Sequence, residues 1–228
     1  MKLRKVTAPH GKWYDDACGT AFALELVGER WSLLVVRELM FGPRRFTDLR
    51  AALPGISARV LAERLDGLER AGIVARTRLP PPASVPAYGL TPWGYQAEEA
   101  IMALGRWAAA SPDHDPTLPL SAASLMLSFR TMFDPARAKG LAFIGKVSVG
   151  AEAFAVKLEG GALAVTRGEP QAADFTLSAP AAPAIAALVY GKVPAEGLAE
   201  AGLVASGNGK VLARFVDLFH LPPKAVRP

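Results

Sequence analysis

The sequence has very few of the residues that form disulfides and metal sites. Its 228 residues include one cysteine, Cys18, and three widely separated histidines, His10, His114 and His220. A single cysteine cannot close an internal disulfide, which is typical of a protein from a reducing compartment. No cysteine or acidic residue stands at ligand spacing from the histidines, so the sequence predicts no metal site.

Long apolar runs are absent as well. The sequence has no stretch of about 18 apolar residues, the length that a membrane-spanning helix needs. Its basic N-terminus, Met-Lys-Leu-Arg-Lys, is followed by no apolar segment of the kind found in signal peptides. We therefore expect a cytoplasmic protein without a membrane contact, and residues 1–12 are expected to be a flexible basic arm.

Catalytic motifs are also lacking. The sequence contains no Gly-x-Ser-x-Gly motif, no paired catalytic carboxylates and no Cys/His constellation. Gly207-Asn208-Gly209-Lys210 lacks the full spacing of a phosphate loop, and a turn before a helix explains it. The sequence therefore predicts no catalytic residue, no cofactor and no enzyme activity.

Basic residues, by contrast, are concentrated in one region. The net charge is +5, and the window from 42 to 82 holds eight arginines against four acids. Every basic residue in this window is arginine, whose planar fork suits phosphate and guanine. Arginine also replaces lysine in GC-rich genomes, and the many alanines and glycines are consistent with that bias.

The segment from Phe46 to Arg78 predicts a short helix, a tight turn, a longer helix and a strand. Ser57 is a suitable N-cap for the longer helix, and Gly72 lies just past its end. Leu61, Leu65 and Leu68 share one face of that helix. Strands at 73–79 and 85–90, joined by a proline-rich loop, would form a wing beside the helix pair.

The remaining elements divide the chain into two domains. Helices are expected at 14–27, 31–40 and from Thr91 to about Ala110, so the first domain covers 1–110. Three prolines between 111 and 119 predict a linker at 111–121. The second domain, 122–228, is a mixed α+β unit. Its helices are expected at 125–133, 183–190 and 208–219, and its strands at 143–149, 154–158, 163–166, 174–178 and 203–205.

The first half resembles the HxlR family of winged-helix transcriptional regulators, relatives of the MarR group. The resemblance rests on Cys18, Gly28-Glu29-Arg30-Trp31, Gly42-Pro43-Arg44-Arg45-Phe46, Ile56-Ser57, Gly72-Ile73-Val74 and Tyr88-Gly89-Leu90-Thr91. It implies a homodimer with the first and last helices at the interface. It also implies that two winged helices read a palindromic or direct-repeat operator in double-stranded DNA.

The second half, over about 122–222, resembles the sterol-carrier-protein-type fold. The resemblance implies a curved, mostly antiparallel sheet that is covered by helices and encloses an apolar tunnel for a small-molecule effector. The candidate lining residues are all apolar: Phe129, Phe143, Phe154, Phe175, Leu188 and Phe215. The alternative is that these side chains only form the core.

Seven residues of the first half are candidates for DNA contacts. In the recognition helix, at about 57–71, Arg59 would read bases in the major groove or else is a solvated helix residue. Ser57 and Ala58 lie at its groove-facing end, where Ala58 could meet a thymine methyl group. Arg64 would contact DNA or pair with an acid such as Glu63 or Glu69.

The other contacts are expected to be with the DNA backbone. Arg45 is a candidate for a phosphate contact. Arg76 and Arg78 lie on the wing, 76–88, and point to the same side of its first strand, towards the backbone or the minor groove.

Cys18 matches a cysteine that some members of the HxlR family use as a thiol sensor. A position near a helix N-terminus would lower the pKa of the thiol, whereas Asp15 and Asp16 would oppose this effect. The alternative is a small buried residue without a sensing role.

The prediction is therefore a dimeric DNA-binding regulator whose second domain binds an apolar effector or adds dimer contacts. The rival hypothesis is a lipid or acyl-chain binding protein whose winged helix serves only for dimerisation. The arginine-rich helix argues against this rival.

Overall fold

The computed structural model describes residues 14–227, which form two compact units. The first unit extends to Ala97, and the second begins at Glu98. The basic arm expected at 1–12, including His10, lies outside the described residues. No helix within residues 14–227 has the length and apolar character that a bilayer-spanning segment requires.

The first unit is a helix-turn-helix followed by a two-stranded wing. Its elements are α1 (Gly19–Val27), α2 (Ser32–Leu39), α3 (Phe46–Ala52), α4 (Ala58–Arg70), β1 (Val74–Arg78), β2 (Pro86–Leu90) and α5 (Pro92–Tyr95). The strands β1 and β2 are antiparallel, with Arg76 opposite Tyr88. The predicted helix pair and wing are thus confirmed.

Local signals place α4 as the sequence predicts. The Ser57 Oγ accepts a hydrogen bond from the Val60 backbone N–H at 3.2 Å, and Gly72 has a left-handed φ of 74°. Leu61, Leu65 and Leu68 are buried. The apolar face of α4 therefore lies in the core, and its other face is left for solvent or a partner.

Two helices of the first half differ from their predicted extents. The helix expected from Tyr14 begins only at Gly19, because Asp15 is left-handed and the Asp16 carboxylate accepts a hydrogen bond from the Cys18 backbone at 2.9 Å. The helix expected from Thr91 to Ala110 is interrupted. Thr91 does cap α5, with its Oγ accepting from the Gly94 N–H at 2.9 Å, but a second helix, α6, covers Glu98–Ala109.

The helix α6 belongs to the second unit, so the contacts divide the chain before the linker predicted at 111–121. It packs against α7 (Ala122–Met132), where Arg130 forms an ion pair with Glu98 and Arg106 donates to the Thr131 carbonyl. The C-terminal segment also binds the end of α6. The Lys224 ammonium donates to the carbonyl oxygens of Ala109 at 3.2 Å and Ser111 at 2.9 Å.

Besides α6 and α7, the second unit contains β3 (Phe143–Val149), β4 (Glu152–Glu159), β5 (Ala162–Arg167), β6 (Phe175–Ala179), α8 (Ala182–Val189), a 3₁₀ turn (Ala195–Leu198), β7 (Val204–Gly207) and α9 (Gly209–Val216). Its strands form a five-stranded sheet with the order β5-β4-β3-β6-β7. Only β3 and β6 pair in parallel, so the expected mostly antiparallel sheet is confirmed.

Short-range turn and cap signals explain this agreement. Gly160 and Gly161 both have positive φ, as the tight turn between β4 and β5 requires. Asn208 caps α9, its side-chain oxygen accepting from the Lys210 N–H at 3.1 Å. The Gly-Asn-Gly-Lys sequence is therefore a turn before a helix, as predicted.

Aromatic rings fill the core of the second unit. Phe215 contacts the rings of Phe129, Phe143 and Phe175, with centroid distances of 5.5, 5.8 and 4.9 Å. The Arg167 guanidinium lies 4.9 Å from the ring centroid of Phe154 on the same sheet. All six residues expected to line an apolar pocket are buried. Four of the five phenylalanines are in ring contact with one another, as in a packed core, and the apolar pocket stays a prediction.

The ring of Phe175 lies directly over Gly145 in β3. A Cβ atom at position 145 would come within 2.3 Å of this ring, far inside van der Waals contact. Glycine in a strand often marks such a close approach. Gly145 therefore determines where Phe175, and with it the aromatic cluster, can pack.

We predict that Gly145→Ala destabilises the second unit by about 1–3 kcal/mol, the usual cost of overpacking a core. Urea unfolding measures the change. Gly105→Ala is the matched control, because nothing lies within 4 Å of a Cβ there and α6 should gain up to about 1 kcal/mol from alanine. Equal stability of Gly145→Ala and the unaltered protein would contradict the proposed close packing.

Candidate nucleic-acid interface

The N-terminal end of α4 presents three of the predicted DNA-contacting residues. Ser57 and Arg59 are exposed, and Ala58 is half-buried. The Arg59 side chain is 89% exposed, although its Nε donates to the Glu63 Oε1 at 2.9 Å. This end of the helix carries free surface and donors that an α-helix can present to base edges.

Arg45 is the N-cap residue of α3, and its guanidinium forms a two-pronged contact with Asp48. The Nε and Nη2 donate to the two carboxylate oxygens at 2.8 and 2.9 Å. The hydrogen bond from Arg45 lowers the pKa of Asp48, and burial opposes this effect. The arginine nevertheless remains half-exposed at the surface.

The wing carries the other two exposed arginines of the prediction. Arg76 donates from its Nε to the Glu69 Oε2 at 3.0 Å, and its guanidinium lies 5.9 Å from the ring centroid of Tyr88. Arg78 donates to the Ser84 carbonyl at 2.6 Å across the wing loop. Both side chains extend from β1 and are exposed.

Arg64 occupies a different environment from these residues. Its Nε donates to the Arg30 carbonyl and its Nη2 contacts the Glu29 carboxylate, both at 3.0 Å. The side chain is 16% exposed. Of the two predicted alternatives, the contacts support pairing with an acid, but the partner is Glu29 rather than Glu63 or Glu69. Through these two contacts, Arg64 links α4 to the segment that precedes α2.

Sequence reasoning missed the buried ion pair that holds the wing. Glu38 is fully buried in α2, and its carboxylate accepts from the Arg44 Nη1 and the Arg37 Nη2, both at 2.9 Å. The backbone of Arg44 exchanges two 2.9 Å hydrogen bonds with Tyr88 of β2. The only available sequence signal was the Gly-Pro-Arg-Arg-Phe motif, which does not distinguish buried Arg44 from exposed Arg45.

Cys18 is exposed and stands at the N-cap of α1. Hydrogen bonds from the backbone N–H groups of Ala21 and Thr20 lower the pKa of its thiol, and the Thr20 side chain adds to this effect. This geometry favours the thiolate, which is the reactive form.

The second unit carries an open groove of about 470 Å³ between α8, the 3₁₀ turn, β7 and α9. Its walls are mainly apolar, with Leu188, Val193, Leu212 and Val216 among them. Leu188 is the only residue of the expected pocket that lines it. The Lys192 ammonium stands at its edge and donates to the Val216 and Phe219 carbonyls at 2.6 and 2.9 Å, while burial lowers its pKa.

Comparisons with known proteins concern the first half of the chain. The family model described as HxlR-like helix-turn-helix matches residues 26–115. The match therefore includes α2 to α6 and the wing. The resemblance of the second half to the sterol-carrier-protein-type fold stays a prediction.

Several relatives carry the name of HTH-type transcriptional regulators. The Escherichia coli protein YtfH is 35% identical over 97 residues, which cover 42% of this chain and 77% of YtfH. The Bacillus subtilis protein YodB is 38% identical over 86 residues, covering 38% of this chain and 77% of YodB. The solved reduced form of YodB is 34% identical with a TM-score of 0.39, and the alignment covers 44% of this chain and 100% of that one.

These relatives share more than 30% identity with the chain over about three quarters of their own length. Their names agree with the helix-turn-helix and wing that the first unit contains. YtfH and YodB are both named as transcriptional regulators of the helix-turn-helix type. The chain belongs to the HxlR-like helix-turn-helix family.

Proposed function

We propose that the protein is a homodimeric transcriptional regulator that places α4 in the DNA major groove and its wing against the backbone or the minor groove. The observation that carries this proposal is the division of α4 into two faces. Its leucines are buried in the core, whereas Ser57 and Arg59 at its N-terminal end are exposed. A helix supported in this way can enter the groove without unfolding its own domain.

The exposed arginines supply two kinds of contact. Arg59 at the start of α4 would read base edges, since arginine binds the two acceptors of guanine with its fork. Arg45, Arg76 and Arg78 would contact phosphates, which set affinity and position without reading sequence. We assign no DNA contact to Arg64, because Glu29 and the Arg30 carbonyl already hold it.

Exposed apolar surface supports a homodimer. None of the nine residues of α1 is buried, although the helix is largely apolar and carries Phe22 and Leu24, each 49% exposed. In the second unit, α6 exposes Leu104 and Trp107. Large exposed apolar surfaces of this kind mark protein–protein contacts. We propose that a second copy of the chain covers both helices.

Control by an effector would pass through α6. This helix lies within the family match, yet it is bound to α7 by the Arg130–Glu98 ion pair and to the C-terminal segment by Lys224. A change in the second unit that moves α7 would therefore also move α6. An effector can shift DNA binding only if it binds the two states with different affinities.

We place the effector in the groove beside Lys192 rather than among the aromatic rings. The groove is open and mainly apolar, whereas the rings fill the core. The same groove is the observation that favours the rival function, a lipid or acyl-chain binding protein. A gel shift with the protein's own promoter region distinguishes the regulator from the lipid-binding protein. The regulator should bind this DNA saturably and more tightly than random DNA, whereas the lipid-binding protein should not.

Cys18 is the candidate for redox control. Its thiol is exposed and its pKa is lowered at the start of α1, the helix that we assign to the dimer interface. Modification there would add bulk or charge next to the interface. We propose that oxidants or electrophiles alter DNA binding through this residue.

Arg59→Ala should relax the preference for the operator, because the arginine side chain would bind base edges. Arg78→Ala should weaken binding to operator and random DNA alike, and reduce the salt slope by about one unit, because this arginine would bind a phosphate. Binding titrations at several salt concentrations measure both effects. Equal losses of affinity for operator and random DNA in Arg59→Ala would reject the base-reading role.

Leu24→Glu should dissociate the proposed dimer, because burying a charge in an apolar interface is costly. Analytical ultracentrifugation over a range of protein concentrations measures the effect. Leu118→Glu is the control, since it makes the same change at an exposed leucine outside the two helices. A Leu24→Glu protein that dimerises as tightly as the control would contradict this interface.

The alkylation rate of Cys18 should reach half its maximum below pH 8.5, the approximate pKa of a free cysteine thiol. The reason is that the N–H groups at the start of α1 stabilise the thiolate. Iodoacetamide kinetics across a pH series test this, with the urea-unfolded chain as control. A midpoint equal to that of the unfolded chain would show that the helix has no effect on the thiol.

A further inference from the structure

Every acid in the arginine-rich window from 42 to 82 is paired with a separate arginine. The pairs are Arg45 with Asp48, Arg59 with Glu63, Arg70 with Asp66 and Arg76 with Glu69, at distances of 2.8, 2.9, 3.1 and 3.0 Å. These four acids are the only ones in the window. The proposed DNA-binding face therefore carries its own carboxylates beside its cations.

These exposed pairs contribute little to the stability of the fold. An ion pair in water changes an equilibrium by about fivefold at most, and often by much less. The Arg59 side chain is 89% exposed, so its contact with Glu63 is screened by solvent and can be exchanged for another partner. The main consequences of the pair are the position of the guanidinium and the local charge.

The position of Glu63 gives it a more specific role than the other three acids. It lies one turn after Arg59 on α4 and contacts the Nε of that arginine. Phosphate oxygens and guanine can both accept from the guanidinium fork, so the reach of the side chain decides which of them it meets. Glu63 limits that reach by holding the Nε of Arg59.

We propose that Glu63 is a specificity-determining residue that holds the Nε of Arg59, so that the guanidinium meets base edges rather than nearby phosphates. It acts through Arg59 and is therefore a positioning residue. The inference rests on the proposed function, because it requires that Arg59 reads bases. Its result is a low affinity for random DNA with little loss of affinity for the operator.

Asp66 is the matched control for Glu63. It pairs with Arg70 on the same helix, at the same spacing of four residues, and both side chains are about half exposed. The pair lies towards the C-terminal end of α4, away from the end that enters the groove. Asp66→Asn removes the same charge as Glu63→Gln without releasing Arg59.

The experiment titrates the full chain and its Glu63→Gln and Asp66→Asn variants with a duplex from its own promoter region and with a random duplex of equal length. Glu63→Gln should bind random DNA about three- to fivefold more tightly, within the range of one exposed ion pair, because the released Arg59 can then reach any nearby phosphate. Its affinity for the promoter duplex should change by less than about threefold, so the ratio of the two affinities falls. Asp66→Asn should raise both affinities equally and leave the ratio unchanged.

A double variant shows whether the effect passes through Arg59. In the Arg59→Ala background, Glu63→Gln should no longer change the ratio, since the residue that it positions is gone. A persistent change would mean that Glu63 acts only through its charge, and would overturn the proposal. An unchanged ratio for the Glu63→Gln variant alone, or an equal fall for Asp66→Asn, would overturn it as well.

The proposed function and the role of Glu63 fail differently. If the unaltered protein binds both duplexes equally, the proposed function fails and this inference fails with it. If the unaltered protein prefers the promoter duplex and Glu63→Gln keeps that preference, only the role of Glu63 is rejected. Thermal unfolding of each variant verifies that the fold is intact, which the exposure of both ion pairs leads us to expect.

Discussion

The buried carboxylate of Glu38 is the constraint on which the winged-helix unit depends. A charge with no exposure is tolerated in a core only when partners compensate for the lost water, and Arg37 and Arg44 do so here. The segment before α3 must therefore lie against α2. The backbone of Arg44 then pairs with Tyr88, which joins this segment to the wing. The ring of Tyr88 in turn supports Arg76 on the outer surface. One buried ion pair thus connects the core to the proposed DNA-binding face.

Ion pairs of glutamate and arginine have different roles in the core and on that face because their exposure differs. The Glu38–Arg44 pair is enclosed, so breaking it would leave an uncompensated charge in the core. The Arg59–Glu63 pair is open to water, so either member can take a new partner at small cost. Arg64 lies between these extremes and is held by a carbonyl and a carboxylate. Burial, rather than residue type, separates the arginines that maintain the fold from those that we propose to bind DNA.

The second unit shows a similar division between filled and open space. Its aromatic side chains pack ring against ring under the sheet, and Gly145 is needed for that packing because Phe175 lies over it. An open groove lies at the surface, beside α9 and β7. The helix α6 lies within the residues that match the HxlR-like family, and it also packs within the second unit. It is thus the natural element through which a ligand of the second unit would affect the regulator.

The sequence by itself determined the elements and most of their ends. Ser57, Thr91 and Asn208 cap helices because each side chain reaches backbone donors only two or three residues away. The leucine spacing of α4 likewise defines its buried face without further information. Only the tertiary structure decided which of Arg44 and Arg45 is buried and that Arg64 pairs with Glu29. It also decided which phenylalanine rings pack against one another. These outcomes depend on contacts between segments far apart in the chain, and adjacent residues of one type carry no local signal that separates them.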